Sequence, residues 1–232
     1  LSEIGQGAES TVDVTEVGDF NPNVQAFFGI NPHSAHVGVT RVVGVTHVVS
    51  SPKGGIISGQ AALINLAGST PPQMVLVQKV AMAFSLPSEF GGGRGFGRGG
   101  FGAGGANAAS DASRLRARQI DSLRTMLHDA EAYAKAFDAY AKDKSLPRPR
   151  ADVVLASLVP VVQGKMYAMF SAERASDIRE AVNFAEEFHM KPIIVGGIEA
   201  LKVAPFLKAH DVPVLVTGVR THNDMLKARV VA

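Results

Sequence analysis

The sequence predicts an α/β fold, on three observations. First, residues 151–232 alternate short apolar runs with amphipathic ones. Met166–Ser171 (MYAMFS), Ser176–Phe188, Pro192–Val195 (PIIV), Glu199–His210 and Pro213–Gly218 (PVLVTG) read as strand, helix, strand, helix, strand. That order at short pitch calls for parallel strands joined by right-handed crossovers. Second, Arg41–Ser51 (RVVGVTHVVSS) is apolar and β-branched, so it reads as a buried strand. Third, Asp111–Lys144 turns helical: after a longer first interval from Leu115, Leu123, Leu127, Ala130, Ala134, Phe137 and Ala141 recur at three- or four-residue steps. An open doubly wound sheet and a (β/α) barrel both satisfy this pattern. In either, chemistry collects at the C-terminal ends of the strands.

The elements follow in order along three zones. Residues 1–87 are rich in Val, Gly and Pro, and Ile56–Leu66 and Met74–Leu86 are further strand candidates there. Residues 88–150 open with a glycine tract and continue into the long helix, which Leu146-Pro147-Arg148-Pro149 ends. In residues 151–232, the helix over Ser176–Phe188 places Ile178, Ala181, Val182, Ala185 and Phe188 inward. Pro205 is expected to kink the next helix or force a late restart.

The composition excludes several classes. The chain has 232 residues, 46% hydrophobic, enough to bury a sizeable core. It has no cysteine, which rules out disulfides and thiolate metal sites. No apolar run reaches the roughly 18 residues that a bilayer-spanning helix needs. The 23 basic residues are scattered among 21 acidic ones for a net charge of +2, which pulls weakly on a phosphate backbone. The tract Phe90–Asn107 (FGGGRGFGRGGFGAGGAN) has the arginine, glycine and phenylalanine of an RNA-binding segment. Its two arginines, Arg94 and Arg98, give few phosphate contacts, so it is read as a glycine-rich insertion and not as a nucleic-acid site. The chain opens on Leu1 and closes on Val230-Val231-Ala232, and is read as a piece of a longer protein.

Three stretches carry a family resemblance. They are LSEIG at 1–5 with DFNPNVQAFFGINP at 19–32, GVTHVVSSPKGGIISGQAALINLAG at 44–68, and SAERASDIREAVNFAEEFHMKPIIVGGIEALKVAPFLKAHDVPVLV at 171–216. Together they resemble the metal-dependent amidohydrolases, in their imidazolonepropionase-like branch. The resemblance implies an incomplete TIM-type (β/α)8 barrel, with the glycine-rich insertion and the long helix set into it. It implies hydrolysis of a C–N bond in an amide, lactam or peptide-like small molecule, with a divalent metal, Zn²⁺ or similar, as cofactor. It places a His-x-His pair upstream of Leu1 and a metal-binding Asp beyond Ala232. No nucleic acid and no membrane enters as a partner, and homo-oligomerisation stays open.

The same resemblance marks ligand positions inside the chain. The fifth-strand histidine of the family corresponds to Ser171, in FSAERA, and the sixth-strand histidine to Gly196, in GGIEA. The fourth-strand lysine of many members corresponds to Ala83, in VAMAFSL. None of the three is a good ligand: a serine hydroxyl is weak, an alanine methyl is inert and a glycine has no side chain. A hydrolytic site needs about three or four N or O ligands. The expectation is therefore divided between a hydrolase and a catalytically silent barrel kept for binding or assembly.

Substrate-binding candidates come from the strand ends. Ser51–Gln60 (SPKGGIISGQ) reads as a glycine-serine loop that presents Ser58, Gly59 and Gln60, or as a turn whose glycines only permit positive φ. Glu173 and Arg174 directly follow a strand, and Glu199 follows Gly196-Gly197. Each reads as a ligand contact or as a charge placed for a neighbouring helix terminus. His33 and His36, spaced i, i+3, are read as a surface pair, and His47 as an interior histidine within its strand.

Overall fold

The computed structural model describes residues 18–87 and 106–217. Among these, residues up to Ala83 form one compact unit, and those from Phe84 onward form a second. The tract at 90–107 lies largely outside the described residues, as do LSEIG at 1–5 and His222.

The first unit holds α1 (Ala35–Val42), β1 (His47–Ser50), β2 (Ile57–Asn65), one helical turn, α2 (Pro71–Met74), and most of β3 (Val75–Phe84). The strand expected over Arg41–Ser51 is in fact divided. Its first residues finish α1, and only His47–Ser50 is extended. The divider is Gly44, at φ +89. Its N–H donates to Arg41 C=O, and the Val45 N–H donates to Thr40 C=O, 2.9 and 3.3 Å. This is the Schellman ending that glycine allows. Val37, at helical spacing from Arg41, turns inward with Ala62, Ile64, Leu66 and Met74 to form a core. β1 pairs antiparallel with β2, His47 opposite Asn65 and Ser50 opposite Ala62, unlike the parallel order of the later strands. β2 is buried along most of its length, its polar Ser58 and Gln60 included, and has β3 on its other side. His47 is exposed, not interior, and its ring nitrogen meets Thr46 Oγ1 at 2.8 Å.

The second unit holds α3 (Ala106–Lys142), α4 (Val153–Val162), β4 (Tyr167–Ala172), α5 (Ala175–Glu187), β5 (Lys191–Gly196), a 3-10 turn over Ala200–Val203, α6 (Ala204–Ala209) and β6 (Val214–Val216). β4, β5 and β6 are parallel and adjacent, with Tyr167 opposite Lys191, Ala172 opposite Gly196 and Ile194 opposite Val214. α5 buries Ile178, Ala181, Val182, Phe184 and Ala185, close to the face its spacing predicts, and Phe188 is buried just beyond it. The second crossover breaks as Pro205 requires. A 3-10 turn ends at Val203, and α6 restarts with the proline in its first turn, where its missing N–H costs nothing. α3 buries Leu123, Leu127, Ala130 and Ala134, but Leu115 is 59% exposed. The packed face begins further along the helix than periodicity alone indicates. Arg116 there accepts no apolar role: it donates to Pro87 C=O at 2.7 Å and to both Glu180 oxygens at 2.5 Å, which joins α3 to α5. α4 has no period in its apolar run, VVLASLVPVV, and was not anticipated. It is started by Asp152, whose carboxylate accepts from the Val154 and Leu155 N–H groups at 2.8 and 3.0 Å.

Candidate functional site

The second unit brings three of the predicted residues to the C-terminal ends of two neighbouring strands. Ser171 is the exposed, penultimate residue of β4. Glu173 follows Ala172, which lies opposite Gly196, the last residue of β5. That register sets the geometry. The Gly197 N–H donates to Ala172 C=O at 2.8 Å, and the Glu199 N–H donates to Glu173 C=O at 2.9 Å. The Glu173 carboxylate reaches across and accepts from the Ile198 N–H at 3.3 Å.

Glu199 reaches back the other way. One carboxylate oxygen accepts from the Ala175 N–H at 3.0 Å, at the start of α5, and the other pairs with Lys202 Nζ at 2.6 Å. The Lys202 hydrogen bond, and after it the Ala175 N–H, hold the Glu199 carboxyl below its ordinary range. Arg174 sits just before α5, and its carbonyl accepts from the Ile178 N–H at 2.9 Å. The two loops are therefore laced together by two glutamates running in opposite directions. Because the folded pKa of Glu199 is depressed, its contribution is present above the unfolded value, near 4.5, and is lost as pH falls through the folded value. Glu199→Gln is expected to lower the thermal midpoint at neutral pH by about 2 °C. The variant and the parent should then converge in acid. A difference persisting unchanged at about pH 2 would overturn this assignment.

The first unit places Ser58, Gly59 and Gln60 differently from the expected loop. The loop is shorter, and all three lie inside β2. Gln60 is 1% exposed; its Nε2 donates to Pro22 C=O at 2.8 Å, and its N–H donates to Val24 C=O at 2.7 Å. With the bridges Phe20 to Ile57 and Gln25 to Gln60, these bonds seat residues 20–25 along the strand. The Gln60 Oε1 is buried without a hydrogen-bond partner. The strand candidate Ile56–Leu66 prevails over the loop reading at 57–60, because these residues are packed against a segment about forty positions earlier in the chain.

These positions do not fit a hydrolytic ion. Ser171 offers a hydroxyl, Ala83 a methyl in β3, and Gly196 nothing, while the Glu173 carboxylate near it already accepts from a backbone N–H. Among the described residues no group of three or more His, Asp or Glu side chains is placed to hold a metal. His36 is exposed on α1, and His33 precedes that helix, so the pair does not share a helical face. His128 lies against the Phe188 ring at 5.0 Å, and His210 lies tilted against Phe206 and bonds to Glu186. A groove of about 550 Å³ between α3 and α5 is lined by Ile120, Phe184 and the ion pairs Arg116–Glu180 and Arg124–Glu187. No local sequence signal marks these pairs, which join residues more than sixty positions apart. No helix among the described residues is long and apolar enough to cross a membrane.

No protein-family model and no curated protein matches the chain. Among solved structures it is similar to the crystal structure of an amidohydrolase from Thermotoga maritima MSB8, with 21% sequence identity and a TM-score of 0.72. The likeness covers 90% of this chain and 51% of that one. The fold is amidohydrolase-like. The chain spans about half the length of that amidohydrolase, and the mixed α/β arrangement of its described residues is consistent with part of a barrel.

Proposed function

We propose that the intact protein is an amidohydrolase of the imidazolonepropionase-like branch, a TIM-type barrel that hydrolyses a C–N bond in an amide, lactam or peptide-like substrate. The observation that carries this reading is the fold likeness over 90% of the chain. In this reading the ends of β4 and β5 face the substrate, with Ser171, Glu173 and Arg174 at that edge. Any divalent ion is held by groups other than those at positions 83, 171 and 196, and none of these three moves a proton or an ion in the reaction. A second reading, a catalytically silent barrel kept for binding, is favoured by one observation: the space above Gly196 is taken by a carboxylate already bonded to the backbone.

A panel of amides, lactams and dipeptides, assayed on the full-length protein with added Zn²⁺ or Mn²⁺, separates the two. Turnover of one class is expected. No turnover of any class, with no bound metal by elemental analysis, overturns the hydrolase in favour of the silent barrel. The 232-residue chain alone is expected to show no metal-dependent turnover, since its marked positions supply too few ligands. Measurable turnover by that chain would refute the expectation.

A further inference from the structure

We propose that Glu173 and Gly196 are a steric pair, in which the Glu173 carboxylate has taken the space of a side chain at position 196, so that a ligating residue there would have to displace it from the Ile198 N–H. This rests on the amidohydrolase reading only in marking 196 as a ligand position. A Cβ built on Gly196 would lie 2.6 Å from Glu173 Oε1, 2.7 Å from its Cδ and 2.9 Å from its Oε2. The strand register brings the two together: Ala172 is opposite Gly196, so the residue after Ala172 leaves β4 directly beside the end of β5. The carboxylate is held there by the Ile198 N–H. Gly196 and Gly197 both take positive φ, +107 and +66, which lets the β5 exit turn under the carboxylate and present that N–H. The lost ligand at 196 is thus not an empty place. It is occupied by a strap that joins the β4 exit to the β5 exit.

The carboxylate is the far end of a flexible side chain, so it can swing aside if position 196 gains a side chain. Swinging aside forfeits the Ile198 hydrogen bond, and that loss is what an experiment can read. The test is a double-mutant cycle on the 232-residue chain: wild type, Gly196→Ala, Glu173→Ala and the double variant, unfolded in urea. Backbone strain at position 196 is present in both alanine-196 proteins and cancels from the coupling. Gly196→Ala is expected to weaken the folding equilibrium about fivefold less when Glu173 is already alanine. Additive effects overturn the pair and leave the substrate-panel result untouched.

Two further readouts do not depend on the glycine variant folding. Hydrogen exchange of the Ile198 amide should speed up in Glu173→Ala, and unchanged exchange overturns the strap. Titration with Zn²⁺ should show no stoichiometric binding that depends on Glu173. One-to-one binding lost in Glu173→Gln would make the carboxylate a ligand and overturn the pair.

Discussion

Phe170→Ala is expected to destabilise the second unit by about 4 kcal/mol. Phe170 is 1% exposed on β4, and its ring stacks on Phe84 at 5.0 Å with 21° between the planes. Truncation removes the transfer energy of the ring and leaves a cavity beside a second aromatic that has lost its partner. β4 is paired along its length with β5, which limits how far the backbone can move in to fill the hole. Against a total stability of about 5–15 kcal/mol, that is enough to unfold a large share of the molecules on warming. Phe170→Leu keeps most of the volume and should cost less than half as much. Urea denaturation followed by circular dichroism measures both. A loss below about 1 kcal/mol for the alanine variant would show that the site collapses freely and that the stacked pair is not central to this core.

The second large effect is expected at Gly59. Gly59→Ala should cost about 3 kcal/mol, as positive-φ strain and a backbone clash together. Gly59 has φ +129 within β2, and a Cβ there would lie 2.6 Å from Val24 C=O and 3.0 Å from Val24 Cβ. The obstacle is backbone. That carbonyl accepts the Gln60 N–H at 2.7 Å, so moving it breaks the seating of residues 20–25 on the strand. The contrast with Gly196, where a flexible carboxylate is the obstacle, predicts that Gly59→Ala is the worse of the two. Gly38 is the control: it lies in α1 with nothing within 4 Å of an added Cβ, so Gly38→Ala should stabilise by up to about 1 kcal/mol. Equal thermal midpoints for the variants at 59 and 38 would remove the close approach from the account.

Much of the second unit was legible because its signals are local. The spacing of Ile178, Ala181, Val182 and Ala185 needs only the helical period to be read, and all four are buried. Pro205 stops a helix wherever it occurs, and it did so here. The first unit was harder. The valines at 42, 43, 45, 48 and 49 suit a strand by composition, yet the run is cut at Gly44 because glycine alone closes the preceding helix at that φ. The strand expected over Ile56–Leu66 forms as β2, but its first residues, 57–60, also fit the loop expected over Ser51–Gln60, because glycine and serine carry no apolar signal and what buries them is a segment distant in sequence. The ion pairs from Arg116 to Glu180 and from Arg124 to Glu187 were invisible for the same reason.

By itself the sequence determined which side chains stand at the marked positions: a hydroxyl at 171, none at 196, a methyl at 83. It also determined that β4, α5 and β5 would form, since their periods and apolar runs lie within a few residues of chain. Only the tertiary structure decided what fills the space those side chains leave. Glu173 read as a ligand contact or a helix-end charge, and it lies over Gly196 because two parallel strands pair in one register and not in another. A one-residue slip would turn that carboxylate to the other face. Strand register is a property of the packed sheet, set by residues 24 positions apart, and no local pattern in the chain encodes it.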